Sequence, residues 1–124
     1  MTSVATSAEA VQELDALFKG FADPTRLRLL NLLAAGELCV CDLVDLLSLP
    51  QSTVSRHLRY LHRAGLVEVT RDWKYAHYRL AQPTYPVHKT LLNCVRTCFQ
   101  GLPQLDRERA TAVARVRARA SDPC

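Results

Sequence analysis

Residues 38–80 read LCVCDLVDLLSLPQSTVSRHLRYLHRAGLVEVTRDWKYAHYRL, and three changes of pattern within them set the fold. Val40, Leu43, Val44 and Leu47 stand at i, i+3, i+4 and i+7, the spacing of one buried face on a short helix. Leu49-Pro50 breaks that helix, and a second runs over 51–64 with Val54, Leu58 and Leu61 as its inner stripe. At about 100° per residue, Ser52, Arg56, Arg59 and Arg63 fall within about 40° of the pole opposite Val54. A charged helix face is by itself an ordinary solvated face. Here it follows a short helix and a Leu-Pro turn, which together make a helix-turn-helix pattern over 38–64. After Gly65 the period becomes extended: 66–70 and 75–80 read as two strands of a hairpin, a wing over 66–80.

Outward from this segment the period is helical. Val11, Leu14, Leu17 and Phe18 predict a first helix over 8–20. Asp23-Pro24 is a helix start, with a capping carboxylate followed by a residue whose φ is already helical, and Gly36 is its stop. Beyond the hairpin, Leu91, Cys94, Val95, Cys98 and Leu102 predict one apolar stripe that Pro103 closes, and 104–120 predicts a last helix carrying five arginines. The stripe exceeds what so small a core needs, so it is expected to meet a second copy of the chain. The fold class predicted is mainly α with a β-hairpin wing, in one domain over 1–124.

Composition narrows the function. The chain has 124 residues, 48% of them hydrophobic, with 16 basic and 12 acidic side chains. The excess charge is local: Arg56, Arg59, Arg63, Arg71, Lys74 and Arg79 face only Glu68 and Asp72 within 51–80, the footprint a polyanion requires. No apolar run approaches the roughly 20 residues of a membrane span. The start, MTSVATSAEAVQELD, lacks a basic-then-apolar export signal, so a cytoplasmic location without membrane contact is expected. No phosphate-cradling glycine loop or nucleophile–base pair points to an enzyme.

Five cysteines, Cys39, Cys41, Cys94, Cys98 and Cys124, are too few and too uneven for a disulfide framework, so reduced thiols able to take soft ions are expected. Cys39 and Cys41 fall at the start of the third helix, where the helix dipole favours the thiolate; the plainer alternative is two small packing residues around Val40. On a regular helix, side chains two apart diverge by about 200°, so one ion can bridge this pair only if that helix start unwinds. Cys94 and Cys98, four apart, also suit one ion, yet lie in the apolar stripe. His57, His62, His77 and His88 form no shared-face metal pattern.

Residues 21–80, with DPTRLRLLNLL, QSTVSRHLRYLHRAGLV and the hairpin in order, resemble the ArsR/SmtB family of metal-responsive repressors over about half of the chain. GELCVCDL narrows the likeness to the arsenite- and cadmium-sensing branches. The resemblance implies a homodimer held by its terminal helices, 8–20 and 84–120, with two recognition helices entering successive major grooves of double-stranded operator DNA. Gln51, Ser52, Thr53, Ser55, Arg56, His57 and Arg59, with Arg71 and Lys74 on the wing, are then the expected DNA contacts. His57 flanks the inner stripe and is also read as a structural hydrogen-bonding residue. The implied inducer is As(III), Sb(III) or another thiophilic ion on Cys39 and Cys41, less favourably on Cys94 and Cys98, with no cofactor required. Val44 stands where arsenite sensors often have a third cysteine, no cysteine precedes Cys39, and Trp73 stands where the wing turn often has glycine. The third donor is therefore open: exogenous thiol, water, or Cys94 or Cys98. A redox-sensing repressor, a sensor of soft divalent ions (cadmium, lead or zinc), and a scaffold that binds only protein are the rival readings.

Overall fold

The computed structural model describes residues 7–72 and 74–121; Trp73 and Cys124 lie outside them. The order is α1 (Ser7–Phe21), α2 (Pro24–Leu33), β1 (Leu38–Cys39), α3 (Val40–Leu47), α4 (Gln51–Arg63), β2 (Val67–Arg71), β3 (Ala76–Leu80), α5 (Pro86–Thr97) and α6 (Pro103–Ser121). The three strands form one antiparallel sheet in the order β1-β3-β2, with Cys39 opposite His77 and Val69 opposite Tyr78.

Local chemistry sets most of the boundaries. Asp23 is extended and its carboxylate accepts from the Arg26 N–H at 3.1 Å, while Pro24 occupies the first helical turn. α3 ends at Ser48, a non-glycine residue held at φ 56°, whose N–H reaches the Val44 carbonyl at 2.9 Å. That left-handed residue turns the chain so sharply that α4 begins three residues later. Gly65, at φ 81°, ends α4 and lets the Leu66 N–H reach back to the Leu61 carbonyl at 3.0 Å.

The core joins α2 (Leu29, Leu30, Leu32, Leu33) to Leu43 of α3, Val54, Leu58 and Leu61 of α4, Tyr78 of β3 and Leu92 and Val95 of α5. α6 folds back onto its own chain. Arg28 of α2 pairs with Glu108 at 2.7 Å, and Asn31, buried in α2, donates to the Leu105 carbonyl and accepts from Arg109 at 2.8 Å. Arg109 also donates to the Val95 carbonyl at 2.7 Å, tying the end of α5 to the same knot.

Two sequence expectations are corrected. The stripe from Leu91 to Leu102 is not continuous: α5 stops at Thr97, and Gly101 turns the chain before Pro103. Val95 is wholly buried within its own chain, Cys94 is half-buried, and Cys98 and Leu102 are exposed. Val95 therefore belongs to the core of one chain, where a charge would unfold the protein rather than only separate two copies. The strand β1 was absent from the sequence reading, because two residues carry no periodicity and their pairing with β3 is long-range.

Candidate nucleic-acid interface and thiol site

α4 places its residues on two faces. Val54, Leu58 and Leu61 are buried, whereas Gln51, Ser52, Arg56, Arg59 and Arg63 are exposed and Thr53 and Ser55 half-buried. Arg71 and Lys74 are exposed at the hairpin end. Among the described residues Arg56, Arg59, Arg63 and Arg71 form no ion pair, so their charge is turned outward. Arg79, by contrast, is engaged by Glu68 at 3.0 Å and Glu37 at 3.6 Å.

His57 departs from the exposed set. Its Nδ1 lies 3.4 Å from the Arg26 guanidinium and 3.8 Å from the Asp23 carboxylate, and burial pushes its pKa down. Arg26 itself lies 4.0 Å over the Tyr60 ring and donates to the Lys19 carbonyl at 2.7 Å. His57 therefore helps tie α4 to the start of α2. These contacts and its half-buried ring favour the structural hydrogen-bonding role also expected of it.

The hairpin turn is self-contained. The Asp72 carboxylate accepts from the Lys74 and Tyr75 N–H groups at 3.0 and 2.7 Å and meets His77 Nε2 at 3.1 Å. Those bonds hold the Asp72 carboxyl below its usual range, and they keep its charge in the turn, away from Arg71.

At the start of α3 the cysteine geometry differs from the helical expectation. Cys39 is not helical: it closes β1 and caps α3 with φ −82° and ψ 163°. Its side chain and that of Cys41 therefore converge rather than diverge, and the two are joined as a disulfide with Cα atoms 5.4 Å apart. Two expectations fall together, that both thiols stand reduced and that helix unwinding must precede their meeting. Cys39 is buried and Cys41 exposed.

Asp42 completes the group: one ligand atom each of Cys39, Cys41 and Asp42 lies within 4.8 Å of the others. Its carboxylate takes the Cys39 N–H at 3.4 Å and lies 3.2 Å from Cys39 Sγ. The other side of the carboxylate is filled from α6 by Arg115 at 2.9 Å and Arg119 at 2.8 Å. Burial pushes the Asp42 pKa upward, but the two arginines outweigh it and hold the carboxyl below its ordinary value. Arg115 also reaches the exposed Asp45. The sequence reading missed all three of Asp42, Arg115 and Arg119. Asp42 had a legible signal, an acid three residues after the cap, as in a capping box; the arginines, more than seventy residues away, had none.

Cys94 and Cys98 sit apart from this group, at the end of α5. The Cys98 contact and burial raise the Cys94 thiol, while Thr97 and Cys94 lower Cys98. Between α3, α4 and the hairpin lies a cavity of about 500 Å³, lined by Cys41, Gln51, Arg59, Arg71, Lys74 and Tyr75 among others. Among the described residues, no helix is long and apolar enough to cross a membrane.

A sequence profile described as "Bacterial regulatory protein, arsR family" matches residues 23–69. An arsenical resistance operon repressor of Staphylococcus xylosus is 33% identical over 90 residues, covering 73% of this chain and 86% of that protein; other curated relatives are matched over little more than half their length. The antimony-specific transcriptional repressor AntR superposes with a TM-score of 0.61 at 34% identity, over 83% of this chain and 90% of its own. The homodimeric winged helix-turn-helix DNA-binding domain of a possible ArsR-family regulator from Mycobacterium bovis gives 0.65 at 27% identity, over 79% and 89%.

The Asp42 cluster makes a direct prediction. Asp42→Asn should cost about 2 kcal/mol, since it removes charged hydrogen bonds from a buried group and leaves two arginines facing an amide. Asp45→Asn, at an exposed pair, should cost no more than about 0.5 kcal/mol. Urea unfolding of both variants compares them; equal costs would show that the cluster does not hold α6 to α3.

Proposed function

The chain belongs to the arsR family of bacterial regulatory proteins, and on that premise we propose that it is a homodimeric repressor that releases operator DNA when As(III), Sb(III) or a related thiophilic ion is held by Cys39 and Cys41. The convergence of the two sulfurs beside Asp42, at the start of the first helix of the DNA-binding pair, carries this reading. The names of the relatives, arsenical and antimony repressors, agree with it.

Ser52, Arg56 and Arg59 meet base edges or adjacent phosphates in the major groove, with Gln51, Thr53 and Ser55 at the helix entrance and Arg71 and Lys74 on flanking phosphates. A second copy completes the binder. Val11 and Phe18, seven residues apart on α1, are 63% and 54% exposed, and Leu102 is 51% exposed; an apolar face of that kind is what a partner's terminal helices would cover.

An ion bridging the two reduced sulfurs fixes a separation that the free thiols do not hold. Because Cys39 is pinned in β1, Cys41 makes the adjustment, and α3 shifts against α4. Coupling then needs a displacement of α3, not its melting. A second reading is favoured by the disulfide itself: oxidation of the two thiols, which draws Cys41 into direct contact with Cys39, moves the start of α3 in place of an ion.

Two outcomes are expected. Arg56→Ala should weaken binding to a duplex selected by the protein from a random pool by about 1–3 kcal/mol at matched salt, if Arg56 reads a base; unchanged binding would remove it from the interface. Reduced Cys39→Ser and Cys41→Ser proteins should hold that duplex yet fail to release it with arsenite. Normal release by both would move the sensor to Cys94 and Cys98, and release by a thiol oxidant but not by arsenite would establish the redox reading.

A further inference from the structure

Two protein sulfurs leave a pyramidal As(III) or Sb(III) one donor short, and we propose that the missing donor is a small carboxylate-bearing thiol seated in the cavity between α3, α4 and the wing. The proposal rests on the reading of Cys39 and Cys41 as the inducer site. Among the described residues no third sulfur joins Cys39 and Cys41. Val44 stands one turn further on, and Cys94 and Cys98 belong to the end of α5. The nearest oxygen donor, Asp42, has its carboxylate engaged by Arg115 and Arg119.

The two sulfurs also differ in what they face. Cys39 is 1% exposed and lies against Asp42, whereas Cys41 is exposed and forms part of the wall of the cavity of about 500 Å³. An ion held by the pair therefore has its open side toward that cavity. The lining is cationic: Arg59, Arg71 and Lys74 contribute to it, and no carboxylate does among the described residues. The one acid of the hairpin turn, Asp72, is held within the turn by Lys74, Tyr75 and His77. A thiol bearing carboxylates places its sulfur on the ion and its negative charge on the guanidinium groups, which pair with carboxylates in a fixed fork geometry. A thiol bearing an ammonium group meets repulsion at the same place.

The Cys39–Cys41 disulfide is first opened by two equivalents of free thiol, which leave joined as their own disulfide and hand their protons to the two cysteines. From the dithiol onward the chemistry is ligand exchange without electron transfer. In As(OH)₃ three As–O bonds break and three As–S bonds form, two to the protein and one to the free thiol. Each thiol proton leaves with a hydroxide as water, and arsenic remains As(III). The product has a direct effect on DNA binding, because Arg59 and Arg71, which the DNA reading assigns to the nucleic acid, now face the carboxylates of the co-ligand. Release then combines a shift of α3 with loss of phosphate-facing charge.

The test uses the full chain, reduced with a phosphine and freed of added thiol. Arsenite is titrated with mercaptosuccinate (anionic), mercaptoethanol (neutral) or cysteamine (cationic). Ternary complexes are counted by native mass spectrometry, and sulfur neighbours of arsenic by X-ray absorption. Expected are a one-to-one-to-one complex with three sulfur neighbours only when a thiol is added, and arsenite binding about tenfold tighter with mercaptosuccinate than with cysteamine. Arg71→Ala should shrink that ratio. Three sulfur neighbours without added thiol, or mercaptosuccinate no better than cysteamine, would overturn the proposal while leaving Cys39 and Cys41 as ligands. Absence of arsenite binding in every arm would instead overturn the inducer reading on which it rests.

Discussion

The carboxylate of Asp42 carries a charge with its side chain fully buried, and a buried charge persists only where partners replace its water. The partners come from two directions. Arg115 and Arg119 of α6 fill one side, and the Cys39 N–H fills the other. The first contact fastens α6 across α3. The second holds Cys39 in the extended conformation that ends β1 and starts α3, and that conformation turns the Cys39 sulfur toward Cys41. Neutralising a single charge thus sets the position of the C-terminal helix and the geometry of the thiol pair.

From that point the site and the DNA-facing surface are neighbours. Cys41 lines the same cavity as Arg59 and Arg71, so a group bound at the sulfurs adjoins the cations that the nucleic acid would use. No long chain of side chains is needed to connect them; α3 and α4 are joined by a three-residue turn at Ser48, Leu49 and Pro50. Under the proposed function, a short connection of this kind would make occupancy of the thiols and loss of DNA affinity two aspects of one equilibrium.

What the sequence disclosed was mostly local. The Asp23-Pro24 start, the Leu49-Pro50 break, the Gly65 stop and the inner stripe of α4 each depend on residues within a turn of one another, and each stands where it was expected. The long-range features were illegible. Pairing of Leu38–Cys39 with β3 gave Cys39 its extended backbone, and without it the cysteines read as a diverging helical pair. Which of Leu91, Leu92, Cys94 and Val95 faces the core depends on where α2 lies, so Val95, read as facing a second copy, is buried in its own chain. The five arginines of α6 carried no sign of their partners, and Arg109, Arg115 and Arg119 reach Asn31 and Asp42.

The proposed function requires that occupancy of the thiol site and binding of DNA oppose one another. Arsenite affinity of the reduced protein, measured free and saturated with its selected duplex, tests this most directly. Coupling predicts weaker arsenite binding to the DNA-bound protein, by the same factor that arsenite weakens DNA binding. Equal arsenite affinity in the two states would contradict it.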